Sequence, residues 1–492
     1  MRRALIGFVS AVLLLGGFTA VASATAGQWS DAVPVPGIQT LTGGDDSSLS
    51  AISCPTDGNC SGGGSYVDVN GNEQAFVVSQ VDGIWGPASA IPGLEILNVG
   101  NSASLASISC ADAGNCSAGG IYDDGPNSRQ AFLVSQVDGV WAPAIAVPGL
   151  EILRTGNDVD LESISCAGAG NCTAGGNFND TNDLYESYVV SQVDGIWGPA
   201  ALVPGLAALN LGGFDDIKQI SCTGNGYCTL GGIYVDGNGD DQAFVASQVA
   251  GVWATATLVP DLEQLNVDGQ AAILSVSCAS PGNCSAAGRF QTSNHQQGFA
   301  ATQVGGLWAP AAAIPGLNEL SGDRSSRVES ISCTSPGNCV AGGTYIGDGD
   351  RDQGFVASQV GGIWGSAMAV PGLTELNTLG DASVDIVSCT SPGNCTAGGT
   401  YGGDGWSYQS FVVAQIDGVW GTAIPLPGLS ALTTGTGASL RALDCSSDGN
   451  CSAGGIFYDA DDFSIAFVAD ISTPHPSPTP VPDLPIVPAF TG

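Results

Sequence analysis

Residues 107–122 read SISCADAGNCSAGGIY, and variants of this stretch recur seven more times along the chain. Each copy holds two cysteines separated by five residues, which in this copy are Cys110 and Cys116. The first cysteines of successive copies lie 56 residues apart, with a single interval of 55. This spacing predicts one supersecondary unit stacked eight times, with each copy covering the apolar face of its neighbour.

Tryptophan keeps the same period as the cysteines. The eight periodic positions are Trp29, Trp85, Trp141, Trp197, Trp253, Trp308, Trp364 and Trp420. A side chain required equally in every copy is expected to pack inside the fold, although a row of sugar-stacking platforms is an alternative interpretation. Trp406 lies outside the period, beside Tyr408, and we expect this aromatic pair to contact a ligand from a loop.

Four short runs with strand composition, bounded by Gly, Pro, Asn and Asp, make up each unit. In the second copy they are residues 106–110, 116–122, 130–137 and 140–147. No stretch keeps helical spacing for the ten residues that a helix would need. Four strands in each of eight copies predict an all-β protein, an eight-bladed β-propeller of four-stranded antiparallel blades. A β-solenoid is the alternative, although its rungs are usually much shorter.

The two ends of the repeat predict a closed ring. The first copy opens with a lone fourth-type strand at Gln28 and Trp29, whereas the last copy ends at its third strand near Ile471. We therefore expect the N-terminal strand to complete the last blade, which leaves no open sheet edge.

Segments of different composition flank the repeat, which spans residues 27–472. Residues 1–26 combine Arg2 and Arg3, a short apolar run and a small-residue end, the order typical of a cleavable signal peptide. Residues 473–492 hold seven prolines and are expected to form an extended tail. The sequence thus predicts a secreted or cell-surface-associated monomer without a membrane span in the mature chain.

In a secreted chain, an even number of cysteines at fixed spacing predicts disulfides. Each pair should join the first two strands of its own blade across a Gly-Asn turn. The expected pairs are Cys54/Cys60, Cys110/Cys116, Cys166/Cys172, Cys222/Cys228, Cys278/Cys284, Cys333/Cys339, Cys389/Cys395 and Cys445/Cys451. Metal ligation and redox chemistry fit this pattern poorly because the chain has only two histidines.

The combined pattern S-[IV]-S-C-x5-C-x-A-G-G and W-x2-A-x3-P-G resembles a broad group of secreted bacterial propeller-like repeat proteins. The resemblance covers residues 27–472 and implies the propeller architecture. It implies no activity, because no shared catalytic role is attached to the group.

The charge balance excludes several functions. The chain has 10 Lys and Arg against 46 Asp and Glu, a formal net charge of −36. Too few cations are present to build the basic surface that binds nucleic acid. By sequence position, 17 acids fall in the loops between second and third strands and 18 in the connections between blades. Alternation of the strands places both groups on one face, which should therefore be strongly acidic.

Several loops between the second and third strands have the alternating oxygen ligands that suit calcium. The candidate ligands are Asp68, Asn70, Asn72, Asp236, Asn238, Asp240, Asp348, Asp350, Asp352, Asp459 and Asp461. A plain polar turn is the alternative for each loop. The fifth copy has no acid there, so that blade should bind no cation.

These features favour a secreted, non-catalytic binding or scaffold propeller that presents an acidic loop face to an extracellular carbohydrate or protein. The alternative is a carbohydrate-active hydrolase or lyase that uses loop carboxylates. Near-uniform copies favour binding, because an enzyme site usually requires unequal blades.

Overall fold

The computed structural model describes residues 28–44, 46–403 and 407–472 and shows the eight-bladed β-propeller predicted from the repeat. The expected signal peptide and Pro-rich tail lie outside the described residues. Every blade is an antiparallel sheet in which three long strands precede a short, broken fourth strand. The first strands of neighbouring blades contact one another and therefore surround the axis, and we call them the inner strands.

The inner strands of blades 1 to 8 are Ser47–Thr56, Ala103–Asp112, Ser163–Gly168, Asp215–Gly224, Ala272–Ser280, Ser326–Ser335, Ala382–Ser391 and Ala438–Ser447. The second strands are Asn59–Val67, Asn115–Gly125, Asn171–Asn179, Tyr227–Val235, Asn283–Gln291, Asn338–Ile346, Asn394–Gly402 and Asn450–Tyr458. The third strands are Glu73–Val81, Ser128–Val137, Tyr185–Val193, Asp241–Val249, Gln296–Val304, Asp352–Val360, Tyr408–Ile416 and Ser464–Ser472.

The fourth strand differs from the continuous run expected from sequence, because it consists of two short pieces separated by a break. The first pieces are Ile84–Trp85, Val140–Trp141, Ile196–Trp197, Val252–Trp253, Leu307–Trp308, Ile363–Trp364, Val419–Trp420 and, for blade 8, Gln28–Trp29. The second pieces are Ser89–Ala90, Ile145–Ala146, Ala201–Leu202, Thr257–Leu258, Ala312–Ala313, Met368–Ala369, Ile424–Pro425 and, for blade 8, Val33–Pro34.

The break in the fourth strand joins each blade to the one before it. In blade 2, for example, the main-chain N–H of Ala144 leaves its own sheet and donates to the carbonyl of Pro92, 2.7 Å away. Gly93 follows that proline with a φ of 75° and packs on Pro143, where a Cβ would come within 3.0 Å of the ring. The repeated Trp-x2-Ala-x3-Pro-Gly pattern therefore encodes a contact between blades.

One helical turn follows the fourth strand in every blade, a feature that the sequence did not predict. The α-helical turns are Ile38–Thr42, Leu94–Leu97, Leu150–Leu153, Leu262–Leu265, Leu317–Ser321, Leu373–Leu376 and Leu429–Leu432, and Leu206–Ala208 is a 3-10 turn. Each begins on a buried leucine or isoleucine, so a single apolar anchor fixes a segment too short to show helical periodicity.

The ring closes as predicted from the chain ends. Trp29 pairs with Ile471, and Val33 pairs with Val468, so two N-terminal segments supply the fourth strand of blade 8. Trp29 is buried in the core of that blade. The third strand of blade 8 is therefore covered by a fourth strand, as in the other blades, and is not an open sheet edge. We call the contact between blades 8 and 1 the closing junction.

The eight predicted disulfides are all present, each within one blade between its inner and second strands. They join Cys54 to Cys60, Cys110 to Cys116, Cys166 to Cys172, Cys222 to Cys228, Cys278 to Cys284, Cys333 to Cys339, Cys389 to Cys395 and Cys445 to Cys451. No cysteine of the described chain is free.

The second cysteine of most pairs closes its own hairpin as predicted and in addition contacts the preceding blade. Cys60 of blade 1 is buried, and its Sγ lies 3.3 Å from the hydroxyl oxygen of Ser452 in blade 8. The equivalent sulfur–hydroxyl pairs, at 3.3–3.5 Å, are Cys172 with Ser117, Cys228 with Thr173, Cys284 with Thr229, Cys339 with Ser285 and Cys451 with Thr396.

Strand geometry explains this additional contact. Each of these Ser and Thr residues directly follows the second cysteine of its own blade, and successive side chains of a strand point to opposite faces of the sheet. The sulfur therefore faces the preceding blade, while the neighbouring hydroxyl faces the following one. The second cysteines thus help to join the blades as well as to close their hairpins.

The disulfide turns lie beside the turns between third and fourth strands. The N–H of Gly83 donates to the carbonyl of Gly58, 2.8 Å away. We call this side the disulfide face and the opposite side the loop face.

All eight periodic tryptophans pack against blade cores, which confirms the packing interpretation.

No helix of the described residues has the length and hydropathy needed to cross a bilayer.

Candidate functional site

Most residues that repeat in all blades hold neighbouring blades together. Ser53 accepts a hydrogen bond from the N–H of Cys110 in the next blade, at 3.0 Å. Gln136 donates from Nε2 to Ser79 of the preceding blade, at 3.1 Å. Because these contacts recur around the ring, the repeated residues have structural roles, and a localised function must depend on positions where the copies differ.

One such position is a β-bulge in the inner strand. Its residue has no partner in the second strand, as for Ser50 between Leu49 and Ala51. A bulge redirects a side chain, and bulges occur often beside functional sites. The eight residues at the equivalent position are Ser50, Ala106, Glu162, Lys218, Leu274, Glu329, Asp385 and Arg441; in blade 3 the inner strand begins at Ser163, so Glu162 directly precedes it. Their side chains are half-buried or exposed, and their residue types vary more from blade to blade than those of the surrounding strand positions.

The second glycine of the Ala-Gly-Gly motif makes room for the bulge. A Cβ on Gly176 would clash with the carbonyl oxygen of Asp160, and the corresponding glycines of all other blades face the same close approach. The repeat therefore keeps this glycine in every blade while leaving the bulge residue free to vary.

Departures from the repeat converge where blade 3 meets blade 4, which we call the 3/4 junction. Blade 3 contributes Asp158, Asp160, Glu162, Asn177, Tyr185 and Tyr188, blade 4 contributes Asp216 and Lys218, and Arg129 reaches in from blade 2. Lys218 is the only lysine of the chain, and Tyr188 replaces a phenylalanine present in the other seven blades. The bulge lies near the start of the inner strand, so this cluster sits toward the loop face.

Hydrogen bonds link these side chains across the junction. Asn177 donates from Nδ2 to Oδ1 of Asp216 at 2.8 Å, and Lys218 forms an ion pair with the other oxygen of Asp216. The Tyr188 hydroxyl donates to the main-chain oxygen of Asp160 at 3.0 Å.

Two further contacts hold the outer part of the cluster. Arg129 lies 3.2 Å from a carboxylate oxygen of Asp160 and 3.5 Å from one of Asp158. The Tyr185 hydroxyl donates to the other oxygen of Asp158 at 3.0 Å. Three blades thus contribute to one polar network.

Glu162 is the least satisfied member of this network. Burial raises the pKa of its carboxyl to about 7; Asp216 and Asp160 add to the rise, while Lys218 opposes it. Burial likewise raises the pKa of Asp160, against the effect of Arg129. Within the described residues no side-chain or main-chain donor hydrogen-bonds to the Glu162 carboxylate. A carboxyl that titrates near neutral pH beside other acids can bind a cation or transfer a proton.

At the same position in blade 6, the acidic side chain has an ionic partner. Glu329 forms an ion pair with Arg327 of its own strand. Glu329 and Glu162 therefore occupy equivalent places with opposite degrees of pairing, and they form a matched pair for mutagenesis.

The structure also shows how the candidate calcium loops are held. Oδ1 of Asp68 accepts hydrogen bonds from the main-chain N–H groups of Asn70 at 2.8 Å and Asn72 at 3.0 Å. Asp236 and Asp459 make the same contacts in their loops. Burial acts to raise the pKa of Asp68, but the hydrogen bonds from Asn72 and Asn70 together bring it below its usual range.

Blade 5 forms an equivalent turn without a carboxylate. Thr292 Oγ1 accepts from the N–H groups of Asn294 at 3.3 Å and His295 at 3.1 Å. The first acid of these loops thus has a turn-forming role that needs no cation. Asp348 and Asp350 of blade 6 both pair with Arg324, whose nitrogens lie 3.2 Å from each carboxylate. Calcium binding remains a prediction, and no three acidic, His or Cys side chains of the described residues group as a metal site.

The predicted aromatic pair is only partly described. Trp406 lies outside the described residues, whereas Tyr408 begins the third strand of blade 7 and is 47% exposed. Sequence reasoning missed the 3/4 junction, because Asp160, Glu162 and Asp216 were counted with the acids of the connections. A column-by-column alignment of the eight copies would have revealed them.

Comparison with known proteins finds only distant structural similarity. No family model matches the chain, and no curated protein matches it. The solved structure of Chaetomium thermophilum Sqt1 bound to the N-terminus of ribosomal protein L10 is 12% identical, covers 87% of this chain and 98% of that chain, and has a TM-score of 0.49. A Dyadobacter fermentans protein of unknown function is 12% identical over 74% of this chain and 94% of that chain, with a TM-score of 0.39. A PL25 ulvan lyase bound to its saccharide is 11% identical over 82% of this chain and 96% of that chain, with a TM-score of 0.41.

Proposed function

We propose that this protein is a secreted, non-catalytic binding or scaffold propeller whose ligand site is the 3/4 junction at the loop face. The convergence of blade 3 and blade 4 departures on one polar network carries this proposal. Charged side chains also meet where blade 6 joins blade 7, but there Glu329 pairs with Arg327, whereas Glu162 at the 3/4 junction has no such partner. Eight disulfides suit an oxidising extracellular compartment.

Restoring the repeat at the junction tests this proposal. The double variant Asp160→Ser, Glu162→Ser gives blade 3 the residues that blade 1 has at Ser48 and Ser50. The control, Arg327→Ser with Glu329→Ser, introduces the same two serines at the equivalent positions of blade 6, where they replace an ion pair. Labelled protein is applied to arrays of neutral and anionic glycans and of short peptides. We expect wild type and control to share bound probes that the blade 3 variant loses; binding that survives the blade 3 change contradicts the proposal.

A hydrolase or lyase is the second candidate, and Glu162 is the observation that favours it. A general acid works best when its pKa lies near the operating pH, and the pKa of Glu162 is about 7. Incubation with a polysaccharide panel separates the two functions. Reproducible product release that Glu162→Gln abolishes would replace the binding proposal with the enzymatic one.

Calcium binding by the acidic loops is a separate part of the proposal. Half-buried or exposed carboxylates in the loops of blades 1, 4, 6 and 8 supply the oxygen donors that calcium prefers. A bound cation would raise the melting temperature by mass action. An unchanged melting midpoint after addition of calcium and after chelation would remove calcium from the proposal.

A further inference from the structure

The donors of the 3/4 junction are already used. The ammonium group of Lys218 pairs with Asp216, and Arg129 pairs with Asp158 and Asp160. The hydroxyl of Tyr188 donates to the carbonyl of Asp160. A ligand that approaches this network meets few donors that are free to bind it.

Acceptors, in contrast, remain available. Oδ1 of Asn177 has no hydrogen-bond partner although the residue is only 5% exposed. The nitrogen of the same amide contacts Asp216, so the side chain reaches into the network. The carboxylate of Glu162 also accepts no hydrogen bond from the described residues. Of these acceptors, Oδ1 of Asn177 is buried without a partner, which costs free energy, so a ligand that supplies a donor is favoured beside it; Glu162 is half-buried and can share such a donor.

The charge of the network also favours a ligand with cationic donors. With all groups ionised, the network holds four carboxylates, those of Asp158, Asp160, Glu162 and Asp216, against the two cations of Arg129 and Lys218. An anionic sugar would meet like charge, whereas a cation would relieve the repulsion that acts on Glu162. The chain's own ammonium and guanidinium groups already occupy part of this surface, which shows that such groups fit its geometry.

We propose that the 3/4 junction binds an organic cation with N–H donors, an ammonium or guanidinium group, with Glu162 and Asn177 as acceptors. The inference rests on the proposed function, because it names the ligand class of the same site. The group could belong to a small free amine or to a lysine or arginine side chain of a peptide, and the experiment distinguishes these sources.

Calorimetric titration of the purified protein tests the cation class. The probes are 1,4-diaminobutane, the peptide acetyl-Gly-Lys-Gly-amide, its arginine counterpart, and the uncharged norleucine peptide as the matched control. We expect binding of at least one cationic probe and none of the norleucine peptide. Preference for the diamine indicates a free amine, and preference for a peptide indicates a protein side chain.

Three variants locate the binding. Glu162→Gln should weaken it by about tenfold or more, the effect expected when a hydrogen bond to a charged group is lost. Glu329→Gln, the matched change in blade 6, should leave it unchanged. Lys218→Met removes the internal competitor and should tighten binding several-fold, a gain that a purely structural role for the network would not produce. Unfolding curves establish that each variant is folded.

The pH dependence gives an independent readout. The groups that act on Glu162 are Asp160 on its own segment and Asp216 and Lys218 on the next inner strand. Because a cation binds the ionised form of Glu162, affinity should rise about tenfold between pH 6 and pH 8, and this rise should vanish in Glu162→Gln.

The outcomes test the ligand class separately from the proposed location of the ligand site. Binding of no cationic probe, or cation binding that Glu162→Gln leaves unchanged, overturns the cation inference. If array ligands are still lost with the blade 3 variant in that case, the proposed function stands and only the ligand class is wrong. Calcium binding at the junction in place of the amines would likewise overturn the organic class.

Discussion

The 3/4 junction and the closing junction both replace neutral residues of the repeat with acids, yet they treat these acids differently. At the closing junction Asp444 stands where the other blades have serine, and it accepts from the N–H of Cys54 at 2.7 Å and from Ser388 at 3.1 Å. Asp470 accepts from Trp85 Nε1 at 3.0 Å and from Ser452. Neutral donors thus satisfy each carboxylate.

At the 3/4 junction, by contrast, Glu162 faces other acids and Asn177 keeps an unused oxygen. The third strand of blade 8 and the N-terminal segment that supplies its fourth strand pair without a covalent link, and the acids of the closing junction add hydrogen bonds between that blade and blade 1. The comparison teaches that an acidic substitution in a repeat indicates function only where its oxygens lack internal partners. The following variants test this distinction, beginning with the largest expected effect.

Loss of the closing tryptophan should have the largest effect on stability. Trp29→Ala removes a buried side chain from the core of blade 8 and should lower the free energy of unfolding by about 3–5 kcal/mol. Trp141→Ala is the matched control, since that side chain is only half-buried at a junction within the chain. Guanidinium unfolding measures both; equal losses would show that the closing strand has no special role.

Removal of Asp444 should have the next largest effect. Asp444→Ala leaves the N–H of Cys54 without its acceptor and should cost about 2 kcal/mol. Asp444→Ser restores the residue used in the other blades and should recover most of that loss. The same unfolding assay applies, and a serine variant as unstable as the alanine variant would contradict the hydrogen-bonding explanation.

The closing junction should also depend on pH. Burial raises the pKa of Asp444 to about 6, so the folded state holds this proton more tightly than the unfolded state does. The resulting stability is present at pH 4 and is lost as the pH rises through 6, by about 1–2 kcal/mol. Melting curves at pH 5 and 7.5 measure the change. Asp444→Asn should reduce it, while the part due to Asp215 and Glu162, which shift in the same direction, remains.

The smallest effect distinguishes the two bulge acids. At pH 8, Glu162→Gln removes a charge that faces Asp160 and Asp216 and should raise stability by about 0.5–1 kcal/mol. Glu329→Gln breaks the pair with Arg327 and should lower stability by up to about 1 kcal/mol. Urea midpoints measure both. The same sign for the two variants would remove the distinction between satisfied and unsatisfied acids.

The architecture was predictable because its determinants are local and periodic. Cysteine spacing indicated the disulfides, and the lone segment at Gln28 and Trp29 indicated closure. The contacts of Cys60 and its counterparts with the preceding blade were missed, because spacing within one hairpin carries no information about the neighbouring sheet. The broken fourth strand was missed because Pro143 was taken as part of a continuous strand over 140–147, although proline cannot donate to a sheet ladder. Blades with Thr255, Ser366 or Thr422 at the equivalent position lack even that signal.

The candidate site was harder to predict because it depends on a bulge and on contacts between blades. A single unpaired residue changes which face of the inner strand carries Glu162, and period-two alternation does not show this shift. The contact of Asn177 with Asp216 joins residues 39 positions apart in different blades. The acids were visible in the sequence, but their pairing was not.

The glycine opposite each bulge has a practical consequence for protein engineering. Because the glycine absorbs the backbone distortion, the eight bulge side chains can be exchanged without repacking any blade core. Substitutions at well-separated positions usually add in their effects. A library that randomises Ser50, Ala106, Leu274 and Arg441 could therefore install new binding specificities on this ring while its disulfides and closing strand stay untouched.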